Sequence, residues 1–422
     1  MGNNKKDFVS IPRGLRDIMP TEVEERRYVE TKLRRIFESW GYREIITPTF
    51  EFFDNLAIET GKMMKDEMFK FLDCDGSLLA LRPEMTTPIA RVVSQRMKST
   101  DFSRLYYSTN VFREEPPQRG QQREFYQMGL EFIGSKGAAA DAEVIAVLIE
   151  SLRAAGLKDF RVGIGQADFF RGVLEESNIS KELIKEIQTL LVEKDLVGIE
   201  RLIVENSILS KDKSKIMEIP LLRGRENVLE KAKSYIGSAC SRKVLKNLFD
   251  LYEFLKSYGL EEFVIFDFGI AKHFDYYTGI VFEVYAPNLG FLVGAGGRYD
   301  GLLSEFGVNK PACGFALGLE RLHICLAEQG ALKKQNSKRV LVCSTKDVKR
   351  VLATAKMLRD MDFCVETILE PYSFDKYDFA TNEGEFRWVI NVDKVPESVE
   401  IFDVETNLKK TSSLSMIKEK LK

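Results

Sequence analysis

One stretch of the chain concentrates side chains that can do chemistry. Val111–Gly134, VFREEPPQRGQQREFYQMGLEFIG, reads as a strand, a turn broken by Pro116, Pro117 and Gly120, and a second strand. Side chains alternate along a strand, so Arg123, Phe125, Gln127, Gly129 and Glu131 share one face. Tyr126, Met128, Leu130 and Phe132 take the other face as core. The polar face thus carries an amide and a carboxylate over a glycine, which leaves room for a small ligand. Arg113 closes the first strand, and its planar guanidinium suits a phosphate or carboxylate in the same space. A solvated hairpin would alternate in the same way, so the pattern alone leaves both readings open.

Other candidates are scattered. In LLALRPEMTTPIAR (Leu78–Arg91) a short apolar strand runs into Arg82-Pro83, and Pro88 marks the start of a helix. Glu84 and Thr86 stand at the junction, where they suit an ammonium group or simple helix capping. Tyr276 and Tyr277 alternate in facing, so one can enter a pocket while the other packs. Gly294, Gly296 and Gly297 permit close backbone approach. They lack the βαβ context of a dinucleotide fingerprint, and no cofactor is expected. Glu320 and Arg321 open a helix after the small-residue strand ACGFALG, and a surface ion pair is their ordinary reading.

The elements that position these groups follow from periodicity and punctuation. Residues 1–20 form an arm. Thr21 and Glu24 match a capping box, after which Val29, Leu33, Ile36, Phe37 and Trp40 recur at helical spacing up to Gly41. GYREIITPTFEFFD reads as a strand interrupted at Pro48, which implies an edge or a bend. Lys136–Gly156 is an Ala-rich helix. From about residue 170 to 259 the pattern is helical, with Leu183, Ile184, Ile187, Leu190 and Leu191 on one stripe, as in an inserted subdomain. FVIFDFG, the segment through IVFEVY, and FLVGAGGRYD return to strands. ALKKQNSK (331–338) is a linker, and residues 339–422 alternate strand and helix as a small α/β domain.

Composition excludes several classes. At 422 residues, 44% hydrophobic and 30% charged, the chain is globular, with two to three domains expected. Lys and Arg (62) balance Asp and Glu (64), so no bulk field calls for nucleic acid. Residues 338–422 hold 15 of each sign, which argues against gripping an RNA backbone. The six cysteines lack metal-ligand spacing and read as reduced thiols, so no metal is expected. No apolar run approaches a bilayer span, and the start MGNNKKDF is neither a signal peptide nor a myristoylation site. The cytoplasm is the expected compartment, with no membrane partner.

The string FREEPPQRGQQREFYQMGLEFIG resembles motif 2 of class II aminoacyl-tRNA synthetases, in the form used by histidyl-tRNA synthetases and their relatives. GFALGLERL resembles motif 3, and the first helix with its following strand resembles motif 1, through which that family dimerises. The resemblance covers residues 8–330, with a weaker echo in 339–422. It implies a class II synthetase-like α/β (α+β) fold, an antiparallel sheet with flanking helices, in which residues 339–422 are a remnant of an anticodon-binding domain. It also implies a histidine site at Glu84, Thr86, Arg113, Gln127, Glu131, Tyr276 and Tyr277, and anion or nucleotide contacts at Arg113, Arg123, Lys272 and Arg321.

Two functional classes share that pattern: active histidyl-tRNA synthetases, and the synthetase-like regulatory subunits of ATP phosphoribosyltransferase. Departures from the synthetase pattern favour the second. Lys272-His273-Phe274 stands where active enzymes carry Arg-Gly-Leu, and Gln121 stands where motif 2 has an arginine. Lysine keeps the charge and loses the bidentate fork, and glutamine loses both. A kept amino-acid pocket with damaged phosphate chemistry implies a non-catalytic sensor. Its implied partners are the short-form catalytic subunit, L-histidine as effector and a second copy of itself; no tRNA is expected.

Overall fold

The computed structural model describes residues 10–58, 65–114, 122–176, 179–206, 208, 210–237, 239–270, 277–332, 339–372, 386–393 and 398–421. The chain divides into two compact units, Met1–Leu332 and Lys333–Lys422. Most of the proposed linker, residues 333–338, lies outside the described residues.

The first unit is built on a nine-stranded sheet. In chain order its strands are β1 (Arg43–Glu44), β5 (Ser103–Phe112), β6 (Glu124–Ile133), β7 (Arg161–Gln166), β8 (Arg223–Gly224), β9 (Val264–Asp267), β10 (Ile280–Tyr285), β11 (Gly294–Arg298) and β12 (Ala312–Gly318). Their spatial order is β1-β5-β6-β12-β11-β10-β7-β9-β8. Pairing is antiparallel except at β1–β5 and β7–β9. A separate three-stranded sheet joins β2 (Phe50–Phe52), β3 (Lys70–Leu72) and β4 (Leu78–Leu81) in the order β2-β4-β3.

Alternation in the strands gives the sheet a dry face and a working face. Met128, Leu130, Phe132, Phe282, Val284 and Phe315 pack under the helices Pro20–Ser39, Ala138–Ala155 and Ala239–Ser257. Complete burial of Val144, Val147, Leu148 and Leu152 contributes about 1.5–3 kcal/mol per large side chain before entropy is counted. Gly137 and Gly156 bound that helix, and Gly156 takes the left-handed conformation that its C-terminus needs. On the opposite face the helix Thr86–Arg96 buries Ile89, Ala90 and Val93 against Leu105, Tyr107, Ile133 and Tyr299.

Three local expectations are corrected. The first helix begins at Pro20 with Met19 at its N-cap and no side-chain cap, so Thr21 and Glu24 form no capping box. Proline at the first helical position supplies the fixed φ and lacks an N–H to satisfy, which makes the earlier start favourable. Around Pro48 the chain makes two short strands in different sheets, β1 and β2, rather than one bent strand. The segment between β7 and β9 is helical apart from β8, which pairs with β9.

The second unit is a five-stranded sheet, β14-β13-β15-β16-β17, with the helix Val348–Arg359 on its Val340, Val342 and Ile390 face. Its strands are β13 (Arg339–Cys343), β14 (Cys364–Thr367), β15 (Trp388–Asn391), β16 (Ser398–Asp403) and β17 (Leu408–Ser413). Nothing apolar announces LKKTSS as β17. It is an edge strand, and lysines there disfavour pairing with another chain.

Candidate functional site

The hairpin β5–β6 sets the floor of the site. Its register places Tyr107 opposite Gly129 and Thr109 opposite Gln127, and Glu131 opposes Gly314 of β12. Over it opens a pocket of about 990 Å³, the open solvent at its mouth included. Its lining includes Glu84, Thr86, Tyr107, Gln127, Tyr277 and Tyr299 together with Arg113, Gln122, Phe125, Leu292, Glu320 and Arg321.

Glu84 lies just ahead of the helix Thr86–Arg96 and accepts the amide N–H groups of Thr86 and Thr87, the latter at 2.9 Å. The capping reading therefore holds for its geometry. A carboxylate has about four lone-pair positions, so the same group can still accept from an ammonium. Gln127 is buried, yet its Oε1 has no hydrogen-bond partner among the described residues. A buried unsatisfied oxygen costs about 1–3 kcal/mol, and a bound donor would remove that cost.

Glu131 lies beneath the pocket floor. It is 1% exposed, accepts from the Thr86 hydroxyl at 2.8 Å, and accepts from the Tyr299 hydroxyl. Thr86 and Tyr299 stand between it and the cavity. Burial pushes its carboxyl up to about 8, against the opposing pull of the Tyr299 and Thr86 hydrogen bonds. In that environment the folded chain holds a proton that the unfolded chain releases above the usual carboxyl range. This contribution to stability is full below pH 4.5 and is lost as pH rises toward 8. Glu131→Gln removes the titration. Its melting temperature, measured against the wild type, is expected to gain steadily between pH 5 and 8; a constant difference would contradict the assignment.

Glycines make this floor possible. A Cβ on Gly314 would lie 1.8 Å from Glu131 Oε2, and one on Gly129 would lie 2.5 Å from the Tyr107 hydroxyl. The space over Gly129, expected to admit ligand, is filled by the Tyr107 phenol. Burial raises that phenol well above its usual range, so it stays protonated. The large-on-small pairing of Tyr107 with Gly129 could be found only by aligning the two strands. Tyr299 follows Arg298, whose guanidinium is bound at 2.6 Å to buried Asp141 and so fixes the β11 end.

Two guanidinium groups also line the pocket. Arg113 Nε donates to Pro83 O at 2.8 Å, and its guanidinium lies 5.4 Å from the Phe125 ring centre. Arg321 Nη1 donates to Leu292 O at 3.2 Å. Glu320 accepts from the Tyr126 amide at 3.0 Å and faces Arg26 at 3.7 Å, a half-enclosed cluster rather than a surface pair with Arg321. Burial raises its carboxyl.

Arg123 is not brought to this cavity. Its amide and Nη1 donate to Gly14 O and Arg13 O at 2.9 and 3.2 Å, its Nη2 bonds Glu114, and it lies over the Phe69 ring. It anchors the N-terminal arm. Gln121, Lys272 and Tyr276 lie outside the described residues. Among the described residues, no group of three or more His, Cys, Asp or Glu is placed to hold a metal ion, and no helix is long and apolar enough to cross a membrane.

The comparisons with known proteins agree with this geometry. The family model described as histidyl-tRNA synthetase matches residues 14–322. An ATP phosphoribosyltransferase regulatory subunit from Moorella thermoacetica is 43% identical over 321 residues, 76% of this chain and 82% of the relative. That of Thermoanaerobacter pseudethanolicus is 37% identical over 388 residues, 92% of this chain and 100% of the relative. A Bacillus halodurans structure described as an ATP phosphoribosyltransferase regulatory subunit/histidyl-tRNA synthetase superposes with TM-score 0.80 at 31% identity, over 92% of this chain and 99% of that one. The histidyl-tRNA synthetase of Nostoc sp. PCC 7120 has TM-score 0.84 at 22% identity over 98% of both chains, a likeness of fold alone. The chain carries the histidyl-tRNA synthetase fold and belongs to the family of ATP phosphoribosyltransferase regulatory subunits.

Proposed function

We propose that this chain is the non-catalytic, histidine-sensing partner of a short-form ATP phosphoribosyltransferase, acting at the first step of histidine biosynthesis. The observation that carries the sensor reading is the unpartnered, buried Oε1 of Gln127, set in one pocket with Glu84, Thr86 and Tyr277. An amino acid presents an ammonium donor to that group, and Glu131 reaches the imidazole side through Tyr299 or by a small shift of Thr86. Lys272 and Gln121, in place of the two synthetase arginines, are the reason for a sensor rather than an enzyme. Calorimetry with L-histidine tests the site. Gln127→Leu and Glu131→Ala should each weaken binding by about 0.5–1.5 kcal/mol, the contribution of a neutral hydrogen bond. Unchanged affinity in both variants would remove the proposed site.

In this reading two copies associate through the motif-1 region. Phe50, Phe52 and Phe71 are exposed on one face of the three-stranded sheet, and grouped exposed aromatic side chains of this kind suit an interaction face. The balanced charge of residues 338–422 supplies no counterion-release term for RNA. Histidine tRNA is accordingly expected to bind the chain neither tightly nor with steep salt dependence in filter-binding titrations from 50 to 200 mM salt.

A further inference from the structure

Behind the pocket floor, on the dry face of the sheet, Arg298 and Asp141 form a buried ion pair with side chains 7% and 3% exposed. Arg298 Nε donates to Asp141 Oδ1 at 2.8 Å, and Nη2 lies 2.6 Å from the same oxygen. Nη1 donates to Asp300 Oδ1 at 3.0 Å and to Ser135 O at 3.1 Å, and Nη2 donates to Gly137 O at 3.5 Å. Asp141 stands in the first turn of the helix Ala138–Ala155, and the two carbonyls belong to the connection from β6 into that helix. One guanidinium therefore ties the end of β11 to the end of β6. Arg298 opposes Cys313 of β12, which in turn opposes Phe132 of β6. Consecutive residues of a strand face opposite ways, so anchoring Arg298 beneath the sheet turns Tyr299 up to the pocket. There the Tyr299 amide donates to Ala312 O at 2.8 Å, and its hydroxyl donates to Glu131, which lies on β6 just ahead of Ser135. The same strand end carries a second pocket tyrosine. The Thr278 amide donates to Arg298 O at 2.8 Å, the Asp300 amide donates to the Thr278 hydroxyl at 2.8 Å, and a Cβ on Gly297 would lie 2.7 Å from the Tyr277 ring. A buried ion pair adds little stability over apolar groups of its own size. What the planar fork adds is direction.

We propose that Arg298 and Asp141 are a positioning pair for ligand recognition, holding the Tyr299 hydroxyl against Glu131 and so setting affinity for the imidazole side of the ligand. Neither residue lines the pocket, so the pair acts through Tyr299 and not by contact. The inference rests on the sensor reading above for its ligand. Both ends of the Tyr299–Glu131 hydrogen bond are clamped by the one guanidinium, from β11 on one side and through Ser135 on the other. Without the clamp the hydroxyl is free to turn away from the carboxyl, and the floor no longer presents the two groups together.

The test is calorimetry of the full chain with L-histidine, beside thermal melting of each variant. Asp141→Leu combined with Arg298→Met replaces the pair by apolar groups of similar size, an exchange that typically leaves stability intact or raises it. This double variant is expected to melt cooperatively, as the wild type does, and to bind histidine about 2–12-fold more weakly, the loss of one neutral hydrogen bond. Arg298→Lys keeps a charge toward Asp141 and gives up the fork. It should lose affinity in the same direction, and it decides the matter if the double variant does not fold. Tyr299→Phe removes the hydroxyl directly and should cost the same factor. Added to the double variant it should cost nothing further, because both changes remove one interaction. A purely structural pair would leave affinity unchanged in a folded variant, so wild-type affinity in the folded double variant or in Arg298→Lys overturns the proposal. Losses that multiply when Tyr299→Phe is added also overturn it, since the pair would then act elsewhere than through Tyr299. A wild-type chain that binds no histidine refutes the sensor reading itself, and the positioning role with it.

Discussion

The purified chain, given L-histidine, ATP and labelled pyrophosphate, is expected to catalyse no histidine-dependent exchange. Adenylate formation requires preorganised donors for the charge that develops between carboxylate and α-phosphate, and one such donor is typically worth about 10²–10³ in rate. By resemblance to the synthetases, two of these positions are Lys272 and Gln121 in this chain. A deficit of about 10⁴–10⁶ follows if the two losses are independent. The guanidinium groups that remain are Arg113, drawn toward Pro83 O, and Arg321, drawn toward Leu292 O. On the proposed reading these two groups hold an anion without stabilising its reaction. Exchange at a rate typical of synthetases, from material free of any contaminating synthetase, would show that lysine and glutamine suffice.

In the assembled enzyme, Glu131→Ala is expected to raise the histidine concentration for half-inhibition by about 2–12-fold, the equivalent of a lost hydrogen bond from a carboxyl that burial keeps protonated at neutral pH. Uninhibited phosphoribosyl transfer should be unchanged, because Glu131 is buried beneath this chain's own pocket. The effect passes through Thr86 and Tyr299, the two hydroxyls that Glu131 accepts from. Truncation frees both and opens the floor under Gly314. An inhibition curve that Glu131→Ala leaves in place would move histidine's site to the catalytic subunit.

Much of this site was legible because strand alternation is a strong local signal. Gln127 and Glu131 fall on the working face, and Met128, Leu130 and Phe132 on the dry one, as period-two side chains must. What a single strand does not disclose is its neighbour. Gly129 signals room, and only the register reveals that Tyr107 occupies it. Tyr299 was overlooked for the same reason, since its approach to Glu131 depends on β11 and β12 lying side by side. Arg123 shares the polar face by parity, yet it precedes β6 and is taken by the arm carbonyls at residues 13 and 14. The capping box at Thr21 failed because a proline one residue earlier began the helix. β17 stayed hidden because an edge strand of lysine, threonine and serine has no buried face to announce it.

On the proposed reading regulation resides in this chain, because a ligand shifts an equilibrium only as far as it binds two states differently. The most direct measurement is the rate of phosphoribosyl transfer from phosphoribosyl pyrophosphate to ATP by the short-form catalytic subunit. It is taken alone, with this chain, and with this chain plus L-histidine. The rate is expected to rise when the chain is added and to fall again with histidine, with inhibition absent from the isolated catalytic subunit. A catalytic subunit that is equally active and equally histidine-sensitive without this chain would contradict that reading.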